Sequence, residues 1–434
     1  MRRCKTPSVL IVVFVLLLSA TCSAEDWTRF RGPNGSGVST SETIPLEWND
    51  DKNIKWKVDL AGPGSSSPIV FGDRVYLTCY TDYGVDKEEP GQASALVRHL
   101  FCFDRASGKE IWKASVAADA DEDEYQGFIT EHGFASSTPV TDGKHIYVLY
   151  GKTGVVAFDM DGNQMWKASV GTESDPYKWG GGASTVLVGD LLIVNAANVG
   201  RSFVALDKAT GKEVWKYANE KLVNCWATPI MVSANGRDEL VTCVPGKIVG
   251  LDPKTGEELW VADSPIANTT CASLVEHNGA VFAMGGRAGD AVGVRYGGEG
   301  DVTDSHTLWV KKLRSGIGTP VVVGGNMYWV STGTAFCASC ESGEYVYKQR
   351  LGEQADEGRR RPAGSYASAL AVGENVILLT RNGTSHIIKG TGEFNQVAEN
   401  KLESDEGPFN ATPAISDGDV FIRSNKSLYC ISKG

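Results

Sequence analysis

One short motif recurs along the chain and constrains its fold more than any other feature. SSPIV at Ser66, STPV at Ser137, ASTV at Ala183, ATPI at Ala227, ASLV at Ala272, GTPV at Gly318, ASAL at Ala367 and ATPAI at Ala411 are eight versions of one strand start. Their third positions, Pro68, Pro139, Thr185, Pro229, Leu274, Pro320, Ala369 and Pro413, are spaced by 71, 46, 44, 45, 46, 49 and 44 residues. A nearly fixed period of this length marks a repeat architecture. The long first step holds a polar insertion near Thr81 to His99.

Each start runs into a Gly/Asp/Asn turn and an alternating apolar strand, as in VFGDRVYLTCY and VGGNMYWVST, which reads as a hairpin. A further strand then ends in Asp, a Gly turn and a Trp: CFDRASGKEIW, AFDMDGNQMW, ALDKATGKEVW and GLDPKTGEELW. Gly108, Gly162, Gly211 and Gly256 supply the positive φ of that turn. Four strands per ~45 residues make one propeller blade. A blade cannot bury both faces alone, so a large flat side chain at one slot wedges between neighbours. Trp56, Trp112, Trp166, Trp215, Trp260 and Trp309 fill that slot, which decays to Tyr347 and then Gln396. The eighth repeat stops after its third strand at LYCISKG, whereas Ile54 to Leu60 near the other end carries Trp56 in the slot. The expected fold is therefore all-β, a single eight-bladed β-propeller over residues 54–434, closed by an amino-terminal strand that completes the last blade. Closure removes open sheet edges, and a monomer is expected. Residues 25–53 read as an arm whose removal, over 25 to 45, should leave the ring intact.

The strand, Asp, Gly, Trp unit resembles the tryptophan-docking motif of the quinoprotein alcohol dehydrogenase-like superfamily. WTRFRGPNGSGVS, EDEYQGFITEHGFASSTPV and FNATPAISDGDVFIRSNKSLYCI are similar to stretches of secreted bacterial PQQ-like repeat proteins. That superfamily mixes dehydrogenases that bind pyrroloquinoline quinone (PQQ) with non-enzymatic members, among them an outer-membrane assembly-factor lipoprotein. By resemblance, a dehydrogenase would bring PQQ under a disulfide of adjacent cysteines, with calcium held by Glu, Asn and Asp. No two cysteines of this chain are adjacent. The expectation is a non-catalytic binding or scaffold protein with a protein, glycan or small-molecule partner. A PQQ- and calcium-dependent dehydrogenase and an outer-membrane assembly role stay open as alternatives.

MRRCK followed by VLIVVFVLLLS and the small residues Ser19, Ala20, Ser23 and Ala24 reads as a signal peptide over 1–24. The apolar run is too short to span a bilayer, which needs ~20 residues. The protein is thus expected to be exported, periplasmic or extracellular, with lipid anchoring at Cys22 as the alternative. Removing Arg2, Arg3 and Lys5 leaves 39 Lys+Arg against 53 acids, net −14. Such a charge argues against nucleic-acid and acidic-membrane partners.

No GxSxG elbow, phosphate loop or HExxH is present, and CASC at Cys337 to Cys340 is followed by Glu341 rather than the His of a haem site. Asp119, Asp121 and Asp123 mimic a calcium loop, but Glu124 replaces the turn glycine and Thr130 the bidentate Glu. The stretch is expected to be a solvated inter-blade loop, and no metal residue is assigned. Cys102, Ala157, Ala205, Gly250, Cys337 and Cys430 share one third-strand slot that wants a small residue. Cys79 with Cys102 is the expected disulfide, if any forms. Residues just before each innermost strand should ring the axial mouth, which selects His132, Trp179, Trp226, Arg314, Arg361 and Asn410 for a small polar or anionic ligand. Against this stands a purely structural role, with Trp179 and Trp226 plugging the channel. The insertion from Gly285 to Trp309 adds Arg287, Arg295, Asp301 and His306 as loop candidates, against a tolerated insertion in a degenerate blade.

Overall fold

A computed structural model describes residues 25–433 apart from Ala120, Arg287 and 353–364. The leader and Cys22 lie outside the described residues. Eight antiparallel sheets form, one per repeat, in the order the repeat predicts. Blade 1, for example, runs Ile69–Phe71, Arg74–Thr81, Val97–Asp104, Glu110–Ala117 from the axis outward. Inner strands are buried on both faces, which explains their continuous Val, Ile and Tyr runs, while outer strands such as Glu110–Ala117 alternate between exposed and half-buried. Blade 8 takes Ala414–Ser416, Asp419–Arg423 and Ser427–Ile431 from the end of the chain and Ile54–Asp59 from its beginning, with Trp56 opposite Cys430.

The small-residue slot is the cross-strand partner of the tryptophan: Cys102 faces Trp112, Ala205 faces Trp215, Gly250 faces Trp260 and Cys337 faces Tyr347. A register shift sits beside this pair in every blade. Such a bulge re-aims the bulged side chain, here toward the neighbouring blade. The ladder also corrects the seventh slot, because Ile387 faces Ala398 rather than Gln396. The indole N–H of Trp56, Trp112, Trp166, Trp215 and Trp309 donates to the turn carbonyl of the next blade, at Arg105, Met160, Lys208, Pro253 and Cys340, over 2.9–3.1 Å. The turn glycine lies under the ring: a Cβ on Gly211 would stand 2.5 Å from Trp166. Gly108, Gly162, Gly211 and Gly256 therefore do two jobs, positive φ and open space.

Trp260 has no such turn to meet, since blade 5 lost it to the insertion. Its N–H instead donates to the buried Glu239 carboxylate at 2.7 Å, and Gly300–Asp301 of the insertion pairs in parallel with Glu258–Asp263 to cover the ring. The insertion is thus a strap that replaces a lost docking turn.

The arm is not separable from the ring. Trp27 pairs with Val70 of blade 1, and Val38–Ser39 adds a parallel strand to blade 7. Trp27, Ile44 and Trp48 are buried in the core shared by blades 1, 7 and 8. All five Arg31 bonds reach backbone carbonyls, at Gly35, Ser36, Thr319, Pro320 and Ala369. Burial lowers the Arg31 pKa to about 9. These contacts count against the expectation that 25 to 45 is dispensable, because this unrepeated segment supplies core side chains such as Trp27 and Ile44.

All eight cysteines of the described residues are free. Cys79 faces His99 and Cys102 faces Tyr76, three positions apart along the ladder, so the expected pair does not meet. Its Sγ accepts from Arg423 instead.

Candidate functional site

The second position of each strand start is always Ser or Thr, and the structure gives it a shared task. The backbone N–H of Ser67 donates to the Thr138 hydroxyl, Thr138 to Ser184, Ser184 to Thr228, Thr228 to Ser273, Ser273 to Thr319, Thr319 to Ser368 and Ser368 to Thr412, over 2.8–3.1 Å. At the eighth junction, where the chain's two ends meet, the Arg423 guanidinium spans the gap to Ser66 and Thr78. Seven of the eight ring hydroxyls are used as acceptors, Ser67 being the exception, and no acceptor among the described residues takes their protons. A hydroxyl carries one donor as well as its lone pairs, so eight O–H groups encircle the axis with capacity to spare.

Above the ring lies a cavity of about 330 Å³ that all eight of these residues line. His132, Trp179, Trp226 and Asn410 converge on it, together with Phe128, Tyr366 and Ser315. Phe30, carried by the arm, reaches the same cavity from the end where the innermost strands finish. Trp179 stacks between Tyr177 at 4.8 Å and Trp226 at 5.2 Å, and Phe128 abuts it at 4.6 Å. The result is an aromatic wall over a hydroxyl floor.

That wall is pinned from behind. The Asp175 carboxylate accepts from the N–H groups of Tyr177, Trp179 and Gly180, and Trp226 Nε1 donates to the Gly180 carbonyl at 2.7 Å. His132 bridges Ser136 Oγ at 2.7 Å and the Trp179 carbonyl at 2.8 Å. Burial holds its pKa below the usual 6.5, so the ring is neutral at pH 7. Asn410 Nδ2 donates to the Glu131 carbonyl and to Ser65, which leaves its buried Oδ1 unpartnered among the described residues. Ser315 Oγ is unpartnered too.

The acidic stretch before this wall is no solvated loop. Glu122 pairs with Arg98 at 2.7 Å, with both side chains buried, and Lys152 bonds Asp123 at 3.1 Å. Asp119 pairs with Lys167 at the surface. With Asp119, Glu122 and Asp123 so engaged, the segment anchors the loop that carries Phe128 and His132, and no group of three or more metal-ligating side chains exists among the described residues.

Other candidates lie elsewhere. Arg314 is exposed and does not line the cavity. Arg295 and Asp301 are exposed, and His306 bonds its neighbour Ser305 at 2.8 Å, all on the strap at the rim of blades 4 and 5. Arg287 and Arg361 lie outside the described residues, as do Arg359 and Arg360. The hydroxyl ring, Phe30, Phe128 and Tyr366 escaped the sequence reading. Their clearest signal was the invariant hydroxyl at the second place of all eight strand starts.

The wall does not suit calcium and PQQ. No carboxylate among the described residues lines the cavity, and Cys271 is its single thiol. A divalent ion prefers several hard oxygen ligands, usually carboxylates.

A closed eight-bladed propeller with tryptophan docking and an axial cavity defines the PQQ-like repeat class. The chain belongs to the family described as outer membrane protein assembly factor BamB, whose profile matches residues 97–349. The BamB of Burkholderia pseudomallei (strain K96243) is 26% identical over 341 residues, 74% of this chain and 75% of that protein. The crystal structure of BamB from Moraxella catarrhalis aligns with a TM-score of 0.58 at 13% identity, covering 88% of this chain and 99% of that one. Quinohemoprotein alcohol dehydrogenase from Comamonas testosteroni aligns at 0.50 and 12% identity, covering 94% and 81%. At these identities the two structures show a shared fold and nothing finer.

Proposed function

We propose that this protein is an exported, non-catalytic propeller that binds a ligand in its axial cavity. One observation carries the reading: a preorganised aromatic wall faces a ring of hydroxyls whose protons have no acceptor among the described residues. Among the described residues no nucleophile, base and carboxylate stand together on the cavity wall. Mixing the purified protein with PQQ and calcium chloride tests the absence of catalysis. Neither quinone retention after gel filtration nor dye reduction with alcohols and sugars is expected, and retention with turnover would overturn the reading.

A role in outer-membrane protein assembly is a second reading, supported by family membership and by one surface feature. Ile111, Met165, Val214, Val310, Val346 and Val397 each expose an aliphatic side chain on the outermost strand of a different blade. An open strand edge with an apolar side chain can accept a partner strand. Enrichment of identified β-barrel proteins from detergent-solubilised envelopes over a bare-resin control would support it, and equal recovery would remove it.

A further inference from the structure

We infer that the axial cavity is a saccharide site, an inference that rests on the ligand-binding reading above. Three features of the wall narrow the ligand chemistry together. First, no charged side chain among the described residues lines the cavity, and His132 has both ring nitrogens engaged in hydrogen bonds. An ion entering this space would lose water and gain no counter-charge there, which is costly. The described wall therefore favours a neutral ligand, which narrows the polar-or-anionic expectation.

Second, the polar groups are spread around the axis rather than gathered at one edge. The ring hydroxyls offer donors all round the axis, and the Ser67 hydroxyl, to which no ring N–H donates, can accept as well. A flat heteroaromatic base presents a few in-plane polar atoms on one or two edges. A polyol presents groups that both donate and accept around its whole rim.

Third, Trp226 has one face against Trp179, and its edge approaches Gly182, where a Cβ would stand 3.4 Å from the indole. Apolar C–H faces with a hydroxylated rim describe a pyranose, whose C–H face packs on an indole as its hydroxyls reach the polar ring. A cavity of about 330 Å³ lies at the small end of ligand pockets, ~300–1,000 Å³, which suits one or two sugar rings rather than a long chain.

The test uses the mature full chain and saturation-transfer NMR with titration of D-glucose, N-acetyl-D-glucosamine and maltose, beside adenosine and inorganic phosphate. At least one sugar is expected to bind with a Kd on the order of 1 mM, reasonable for so small a neutral ligand. Trp226→Ala should weaken that binding at least tenfold. Because Trp226 also bonds Gly180, Ser67→Ala is the companion variant. The Ser67 hydroxyl lines the cavity and holds no hydrogen bond among the described residues, so the variant should fold as the parent does and still weaken binding about three- to tenfold. Binding of adenosine or phosphate with no sugar bound would overturn the saccharide class and keep the ligand-binding reading. Sugar binding unchanged in both variants would overturn the placement of the site. No binding by any of the five would overturn the saccharide inference and count against the cavity reading itself.

Discussion

Tryptophan serves two purposes in this chain, and glycine shows which is which. Gly211 has φ +72° with the Trp166 ring 2.5 Å from where its Cβ would stand, whereas Gly189 has φ +58° with open space around it. Gly189→Ala should therefore cost only the left-handed backbone penalty, about 1–2 kcal/mol. Gly211→Ala adds displacement of the docked indole and should cost roughly twice as much or more in chemical denaturation. Equal losses would refute the docking account. His132 gives a pH prediction. Its folded pKa lies below the unfolded 6.5, so the unfolded chain takes up the proton first, and stability falls as pH drops below about 6.5. His132→Gln should remove part of that loss and leave stability at pH 8 nearly unaffected by this charge term. His99 and His386, lowered by the same cause, should retain the rest. Melting temperatures between pH 5 and 8 check it. At this scale, the docking tryptophans and turn glycines were legible because they repeat in phase. The Ser/Thr ring repeats just as faithfully, yet its meaning depends on neighbouring blades meeting at the axis, which no single repeat displays. Gln396 was misplaced because it lies four residues after Gly392, the spacing of the other blades, whereas the blade 7 turn is longer and the slot falls six residues after that glycine, at Ala398.

Elements at the two ends of the chain hold the ring shut. Removing 54–60 would strip Ser427–Ile431 of its outer partner, since Ile54–Asp59 pairs with it from Asp59–Ser427 to Ile54–Ile431. Hydrogen exchange should then accelerate first in blade 8, and uniform acceleration around the ring would speak against local closure. The arm gives a second prediction. Trp27 is fully buried between blades, and Trp27→Ala should cost about 3–5 kcal/mol, as large aromatic truncations in cores do. A loss under 1 kcal/mol would mean the arm is peripheral after all. Its role was not legible beforehand because WTRFRGPNGSGVS falls outside the repeat and offers no period from which a partner strand could be read. The strap over Trp260 was hidden for the related reason that an insertion's destination is set by tertiary contacts. Both segments show non-repeating sequence taking structural work that the repeat leaves undone.

Over the whole molecule, closure makes a cavity with two unlike ends: loops bearing Phe128, His132, Trp179 and Asn410 on one side, and Phe30 with Arg31 on the other. Eight near-equivalent blades produce a symmetric ring of hydroxyls, and a few residues that break the repeat turn that ring into an asymmetric site. The central claim is that the repeating tryptophans hold the ring while Trp179 and Trp226 face a ligand. Labelling all eleven tryptophans with 5-fluorotryptophan and recording ¹⁹F spectra during titration with maltose, then adenosine, tests it most directly. The signals of Trp179 and Trp226, assigned by substitution, should shift with at least one ligand while those of Trp56, Trp112, Trp166, Trp215, Trp260 and Trp309 stay fixed. Movement confined to the docking set, or no movement at Trp179 and Trp226 with either ligand, would contradict it.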